Sequence, residues 1–456
     1  MYVIRQHCPS VYSVFIMNSN IVTIKKVVNG GYGFSQLGNG KVVLVERGLP
    51  GEVVEIKISH AQRSMEYASI GKIIEPNPSR MNPPCPYYPA CGGCDLQHAS
   101  YDYQLVLKQQ ILEDLLSRSQ TPALEALATQ LSPTLPSPQM FHYRQRIRLS
   151  IGKHKSLGFK RFKSHEVVSV KSCMLASDKM NHWFQTLTSH VSLPEVFPQA
   201  TELEIVFDPK HQSVCGVIKL SKKPKRSELG KIQKLAEELG NVTRLFFTGD
   251  AFALMGPFGS DPEAENSLGF TTTLSHLKPL TFSWEVGGFC QVNLPQNRQL
   301  VELVLQWCEE VGEQSVLDLY CGFGNLSLPL AAMGYRVCGV ESNGSSVRSA
   351  KQNIHRNALT GIEFFKSDVA TACNSFLEQS RTFDTVICDP PRQGLNSIAS
   401  TIAKLARFKI IYVSCDPATL CRDLAEFVSY GFHPTAIQPV DMFPQTHHIE
   451  SAVCLE

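Results

Sequence analysis

The sequence predicts a multidomain chain of mixed class. A small N-terminal β-barrel of OB-like type is expected over residues 21–80, a central α+β region over 81–280, and an α/β domain with a largely parallel sheet over 281–456. Three observations carry this. A length of 456 residues with 43% hydrophobic and 18% charged residues allows about three domains with real cores. Short β-branched runs separated by glycine-rich turns fill the first part. In the last part, buried-strand runs alternate with helical patterns.

In chain order, residues 1–20 show no clear pattern, and the first 16 read as a loose tail or a mis-assigned start ahead of Met17. Runs at 21–24, 41–45 and 53–58 are strand-like, and Asn29-Gly30-Gly31-Tyr32-Gly33, Gly38-Asn39-Gly40 and Gly48-Leu49-Pro50-Gly51 supply turns at the spacing of a small barrel. Prolines at 76, 78, 83, 84, 86 and 89 end this module. The central region holds a cysteine cluster, a helix over 101–119, a Pro/Ser/Thr-rich connector over 131–138, and strands near 145–151, 165–170, 203–207, 213–220 and 244–247. From 281 onward, strands are expected at 315–320, 336–341, 362–366, 383–389 and 409–414, with helices near 295–311, 325–333, 344–358 and 417–429. Strands and helices in alternation put helices on both faces of a parallel sheet.

Composition narrows the class. No apolar run approaches the ~20 residues needed to cross a bilayer, and the stretch 11–17 lacks a signal-peptide cleavage site, so a cytoplasmic protein without a membrane partner is expected. Fifteen cysteines, an odd number over a long chain, argue for a reducing compartment rather than a disulfide framework. The net charge of +2 decides nothing about a polyanionic partner, because a local patch does that.

Several clusters point to chemistry. Asp318-Leu319-Tyr320-Cys321-Gly322-Phe323-Gly324-Asn325 runs an apolar strand into a Gly-x-Gly turn that opens a helix, where backbone can approach a ligand closely. Glu341 ends the next strand, where a carboxylate can hold ribose hydroxyls. A dinucleotide site would want a third glycine where Ser327 stands, so S-adenosylmethionine suits the pattern better than NAD. Asp389-Pro390-Pro391-Arg392 follows an apolar strand at its ligand-binding end; two prolines stiffen it, and Arg392 replaces the aromatic residue found in exocyclic-amine methylases.

Ser414-Cys415-Asp416-Pro417 places a thiol at another strand end, with Asp416 or Thr419 able to cap the following helix. Helix N-terminal amides are expected to favour the thiolate, making Cys415 a candidate nucleophile; the alternative is a buried structural cysteine. His447-His448-Ile449-Glu450 has no metal-ligand spacing, and the alternation of Ile449, Ser451 and Val453 reads as a final strand with Glu450 on its opposite face, a candidate base. Cys85, Cys91 and Cys94, with Gly92-Gly93 between, suggest zinc or an iron–sulfur cluster, and Cys173 is the candidate fourth ligand. Between Arg144 and Lys171, nine Lys/Arg face the single acid Glu166, a local excess of +8 with Tyr143, Phe159 and Phe162 interleaved; Lys222-Lys223-Pro224-Lys225-Arg226 adds to it. Nucleic-acid backbone with unstacked bases is the natural partner.

On these residues the chain resembles the S-adenosylmethionine-dependent RNA uracil-C5-methyltransferase family, and within it the TRAM-containing, iron–sulfur branch acting on 23S ribosomal RNA. The resemblance covers nearly everything from residue 21 onward. It implies a TRAM RNA-binding domain at 21–80, a class I methyltransferase (Rossmann-like) domain at 281–456, and a [4Fe–4S] cluster on Cys85, Cys91, Cys94 and Cys173. Phe289-Cys290-Gln291-Val292-Asn293 matches the family's Phe-x-Gln-Val-Asn motif, which implies that Gln291 contacts S-adenosylmethionine. Residues 318–325 match its Asp-Leu-aromatic-Cys-Gly-x-Gly-Asn motif, implying cofactor contacts at Tyr320 and Asn325, and Glu341, Asp368 and Asp389 fall at further contacts. Cys415 stands where the family has its nucleophile and Glu450 where it has its base. Tyr320 is often Phe and Asp416 often Asn, and neither change removes a reacting group.

The implied reaction also follows from the residues. Uracil C5 is a poor nucleophile until a thiolate adds to C6. C5 then takes a methyl group and must lose its proton to a base, so one thiol and one carboxylate are needed in a single crevice. A uracil in paired RNA cannot reach the thiol, so a single-stranded or flipped uridine is expected, on an enzyme expected to be a monomer. Three rival readings are the same chemistry on transfer RNA, an amino-group methyltransferase, and a non-catalytic RNA-binding factor.

Overall fold

The computed structural model describes residues 20–62, 64–152, 156–190, 198–238, 243–259, 266–308 and 314–456. The expected N-terminal tail lies outside the described residues except for Asn20. The chain forms two compact units, one ending at Arg80 and one spanning Met81–Glu456.

In the first unit, β1 (Ile21–Thr23), β2 (Lys26–Val28), β3 (Tyr32–Gln36), β4 (Val42–Glu46), β5 (Val53–Ala61) and β6 (Met65–Glu75) form a sheet in the order β1-β5-β6-β4-β3-β2. Its two edge strands are joined by Ile24 and Lys25, which reach in opposite directions. The Ile24 amide donates to the Glu52 carbonyl at 2.9 Å and the Lys25 amide to the Phe34 carbonyl at 2.8 Å. The sheet is therefore curled, which is compatible with a barrel. Val22, Ile24, Val43, Val45, Val54, Ile56 and Ala68 fill its inside. Position 33 needs glycine, because a Cβ there would lie 2.8 Å from the Gly48 carbonyl oxygen.

The second unit opens with α1 (Tyr101–Ser117) and α2 (Pro122–Ala128). A seven-stranded sheet follows, built from β7 (Arg146–Ile151), β8 (Leu157–Lys160), β9 (Val167–Ser169), β10 (Ala200–Asp208), β11 (Ser213–Leu220), β12 (Thr243–Gly249) and β13 (Phe252–Phe258) in the order β13-β12-β11-β10-β7-β8-β9. It packs on α3 (Asp178–His190) and α4 (Arg226–Glu238) through Trp183, Phe184, Leu187, Ile232 and Leu235. β14 (Ser267–Thr272) and β15 (Leu280–Glu285) form a separate hairpin.

The last sheet carries the candidate site. Its strands are β16 (Ser315–Leu319), β17 (Arg336–Glu341), β18 (Ile362–Lys366), β19 (Phe383–Cys388), β20 (Ala406–Ser414), β21 (Pro434–Val440) and β22 (Glu450–Leu455), in the order β18-β17-β16-β19-β20-β22-β21. β16 to β20 are parallel to one another, and β22 is antiparallel to both β20 and β21. The helices are α5 (Leu294–Cys308), α6 (Ser327–Ala332), α7 (Gly344–Arg356), α8 (Val369–Glu378), α9 (Ala399–Leu405) and α10 (Pro417–Ser429). β19 and β22 are buried at every position, as strands covered on both faces are.

Some elements escaped the pattern. β21 contains Pro434 and Pro439, which only an edge strand tolerates, and it is at the edge. α8 is rich in Thr, Cys, Asn and Ser, which are weak helix formers, and it is held by its Asp368 cap and four buried side chains. The helix placed in the central region packs elsewhere: Leu112 and Leu116 of α1 and Leu124 and Leu127 of α2 share a core with Leu317, Tyr412, Phe427 and Leu455. No helix among the described residues is long and apolar enough to cross a membrane.

Candidate active site

Topology alone gathers most of the singled-out residues. The parallel strands β16 to β20 end at one edge of the sheet, and the reversed β22 begins there. Tyr320 follows β16, Glu341 ends β17, Asp368 follows β18, Asp389 follows β19, Cys415 follows β20 and Glu450 opens β22. The strand order reverses between β16 and β19, which is where an open α/β sheet leaves a ligand crevice.

Register sets the two candidate reacting groups side by side. β20 and β22 pair with Ile410 opposite Leu455 and Ser414 opposite Ser451, the last pair of the ladder, so Cys415 and Glu450 adjoin its same end, close enough for the carboxylate to act on the thiol. Glu450 is 4% exposed and Cys415 is half-buried. Burial, then the Glu450 carboxylate, pushes the Cys415 thiol up to about 12, and the Arg392 guanidinium opposes this. Burial, then Asp389, holds Glu450 well above the usual carboxylate range, again against Arg392. Burial pushes Asp389 up to about 7.

The expectation that helix amides would favour the thiolate is not met. The Ala418 and Thr419 amides both donate to Asp416 Oδ1 at 3.0 Å, so the positive end of α10 is taken by its own cap, and burial decides the thiol. Arg392 is the functional candidate the sequence reading passed over, having treated it only as a departure from another motif. Its position directly after Asp389-Pro390-Pro391 was the available signal. Its Nη2 lies 3.5 Å from His448 Nε2. Burial, then His447 and Arg392, lowers the His448 ring to about 3, so a neutral imidazole faces the guanidinium.

The turn after β16 is shaped for close approach. Tyr320, Gly322 and Gly324 have φ of 63°, 56° and 93°, which ends the strand one residue earlier than its apolar run. A Cβ on Gly324 would lie 1.9 Å from Leu328 Cδ1, whereas one on Gly322 would meet nothing within 4 Å, so Gly322 faces open space. Ser327 has a use of its own: its hydroxyl donates to the buried Asp318 carboxylate, whose pKa burial raises to about 7. Glu341 accepts from the Gly322 amide at 3.2 Å and the Asn343 amide at 2.6 Å. Asp368 is exposed and caps α8 through the Thr371 amide at 3.2 Å.

Two more of the implied cofactor residues are tied to α5 or the loop before it. Asn325 forms a reciprocal amide pair with Asn297 of α5, at 2.8 and 2.9 Å, beside a cavity of about 580 Å³. Gln291 sits in the loop before α5, which is anchored by the fully buried Asn293 donating to Ser137 Oγ at 3.0 Å and the Met442 carbonyl at 3.1 Å. Phe289, in the same loop, is 64% exposed.

The four cysteines also converge. Cys85, Cys91, Cys94 and Cys173 line one cavity of about 220 Å³, together with Tyr87, Gln97 and Arg144, and all four are free thiols. Among the described residues, no three ligand-type side chains form a group ready to hold a metal ion. Four thiols lining one cavity are a donor set that either zinc or an iron–sulfur cluster accepts.

The basic stretch is not one solvated face. Arg144 lines the cysteine cavity, Arg146 pairs with Glu204 and donates to the Gly288 carbonyl at 2.8 Å, and Arg148 also reaches Glu204 at 3.2 Å. Arg161 pairs with Glu166 at 2.9 Å. Lys153 and Lys155 lie outside the described residues. Lys160, Lys163, Lys171, Lys222, Lys223, Lys225 and Arg226 are exposed and carry what remains of the patch.

Comparison with known proteins agrees with this geometry. The model of the tRNA (Uracil-5-)-methyltransferase family matches residues 276–456. The chain is 32% identical to the 23S rRNA (uracil(1939)-C(5))-methyltransferase RlmD of Shewanella amazonensis, over 91% of each protein. It is 31% identical to the RlmD of Pseudomonas putida, over 95% of this chain and 92% of that one. Among solved structures, the Pyrococcus abyssi tRNA (uracil-54, C5)-methyltransferase in complex with S-adenosyl-L-homocysteine shares the fold, with a TM-score of 0.70 at 23% identity over 95% of this chain and 100% of that one. The chain belongs to the RNA (uracil-C5)-methyltransferase family.

Proposed function

We propose that this protein methylates C5 of a flipped or single-stranded uridine in 23S ribosomal RNA, with Cys415 as nucleophile and Glu450 as base. The observation that carries the reading is the β20/β22 register, which brings a thiol and a buried carboxylate together at the ligand-binding edge of the sheet. S-adenosylmethionine, bound by Gln291, Tyr320, Asn325, Glu341, Asp368 and Asp389, supplies the methyl group.

The Cys415 thiol gives its proton to water as its sulfur bonds to uracil C6, and the electron pair of the C5–C6 double bond moves toward C5 and the O4 carbonyl. Arg392 offsets the negative charge gathered near Cys415, Asp389 and Glu450. After C5 is methylated, Glu450 in its ionised, carboxylate form accepts the C5 proton, the C6–S bond breaks, the double bond returns and the sulfur leaves as thiolate. A positioned carboxylate contributes roughly 10²–10⁴-fold to such a proton removal. Residues 21–80 act as a TRAM RNA-binding module, and Cys85, Cys91, Cys94 and Cys173 hold a structural [4Fe–4S] cluster.

The test uses the full chain with 23S RNA. Cys415→Ala abolishes methyl transfer, and Glu450→Gln accumulates a covalent protein–RNA adduct in denaturing gels. Full turnover by Cys415→Ala overturns the nucleophile, and methylation of transfer RNA with none of 23S RNA overturns the substrate. Cys91→Ser loses the absorbance near 400 nm expected of the cluster; an unchanged spectrum removes the ligand set.

A further inference from the structure

The approach to Glu450, residues 441–449, is gripped by the cysteine loop. Asp95 directly follows Cys94 but does not line the cysteine cavity. Its carboxylate turns the other way, accepts the His447 amide at 2.7 Å and pairs with His447 Nδ1. The Asp95 and Leu96 amides both donate to the Gln445 carbonyl at 3.1 Å. Gln104 of α1 completes the grip: its Oε1 accepts the Gln445 amide at 3.0 Å and its Nε2 donates to Gln445 Oε1 at 3.0 Å. Gln445 has φ of 70°, a strained conformation for a residue other than glycine, and these bonds hold it there.

What this grip controls is close at hand. His447 stands three residues before Glu450, and its ring lies 4.3 Å from that of His448, which faces Arg392. The side chains of Asp95 and His447 are only 16% and 21% exposed, so their pairing is largely shielded from solvent. Moving this anchor would shift the start of β22 and the neighbour of the guanidinium together, while Cys415 is held separately at the end of β20 and by the Asp416 cap.

We infer that Asp95 is a positioning residue for removal of the C5 proton, fixing from the cysteine loop the segment that aims Glu450. This rests on the reading of Glu450 as the base. In the full chain, Asp95→Ala speeds amide exchange across residues 441–450 about tenfold or more, the loss of a charge-assisted hydrogen bond. With RNA and S-adenosylmethionine, kcat falls by a similar factor, KM for S-adenosylmethionine holds, and methylated adduct accumulates. Asp95→Asn keeps an acceptor for the His447 amide and recovers part of both the protection and the rate; it also serves if the alanine variant does not fold. A general loss of stability would lower adduct formation and release alike. Unchanged exchange in Asp95→Ala overturns the anchor, and a lower kcat without adduct overturns its role in proton removal. If Glu450→Gln itself accumulates no adduct, the base reading is what fails, and the exchange measurement still decides whether Asp95 anchors the segment.

Discussion

Replacing Lys108 with methionine tests the other support of the base-bearing segment. Lys108 and Asp441 form an ion pair with both side chains fully buried, and Lys108 Nζ also donates to the Phe443 carbonyl at 3.1 Å. Tyr101 OH donates to the other Asp441 oxygen at 2.8 Å. Methionine keeps much of the length and volume of lysine, so little cavity opens. What remains is the Asp441 carboxylate, buried with a single phenol as side-chain donor. Removing one partner of a buried pair costs about 3–5 kcal/mol, because the other charge is left uncompensated. The double variant Lys108→Met/Asp441→Asn removes both charges and should regain most of that loss. Urea unfolding, followed by tryptophan fluorescence and compared at equal slope, gives the differences. Trp183, Trp284 and Trp307 all report from the same compact unit as the pair. A single variant that loses under about 1 kcal/mol, or a double variant no better than the single, refutes the reasoning.

Three further outcomes are expected. With the Cys415 thiol at about 12, the rate of adduct formation should climb about tenfold per pH unit through neutrality, and Arg392→Gln should lower it at any fixed pH; a flat profile in stopped reactions contradicts this. Gly324→Ala puts a Cβ 1.9 Å from Leu328 Cδ1 at a φ of 93°, which should distort the turn, and calorimetric titration should show weakened S-adenosylmethionine binding, with unchanged affinity contradicting the turn's role in holding the cofactor. Burial raises Asp318 from its ordinary 3.8 to about 7, so its stabilisation is complete below 3.8 and is lost as pH rises through 7. Asp318→Asn should therefore melt higher than the parent at pH 8 and gain little at pH 4, and equal differences at both would refute the shift.

Much of this arrangement was legible in the chain. β17 and β18 fall on their apolar runs, and α10 starts at the Pro417 that follows its cap, because strand period, capping and proline act over a few residues. Elsewhere local signals misled. Arg144 counted toward a basic face yet lines the cysteine cavity, and the helix amides near Cys415 were claimed by Asp416, a competition between neighbours that composition does not rank. Arg392 ended a motif read for its prolines and Asp95 carried none, since their importance comes from what faces them across the fold.

The amino-acid order by itself determined the parallel strands β16 to β20, the glycine turn and the residue types at each of their ends, all consequences of backbone sterics and hydrophobic period. Only the tertiary structure decided that Cys415 meets Glu450, that α1 and the cysteine loop grip residues 441–449, and that burial rather than a helix dipole governs the thiol. Strand register and desolvation depend on surfaces contributed by segments far apart in the chain, and no local pattern encodes which of those surfaces will meet.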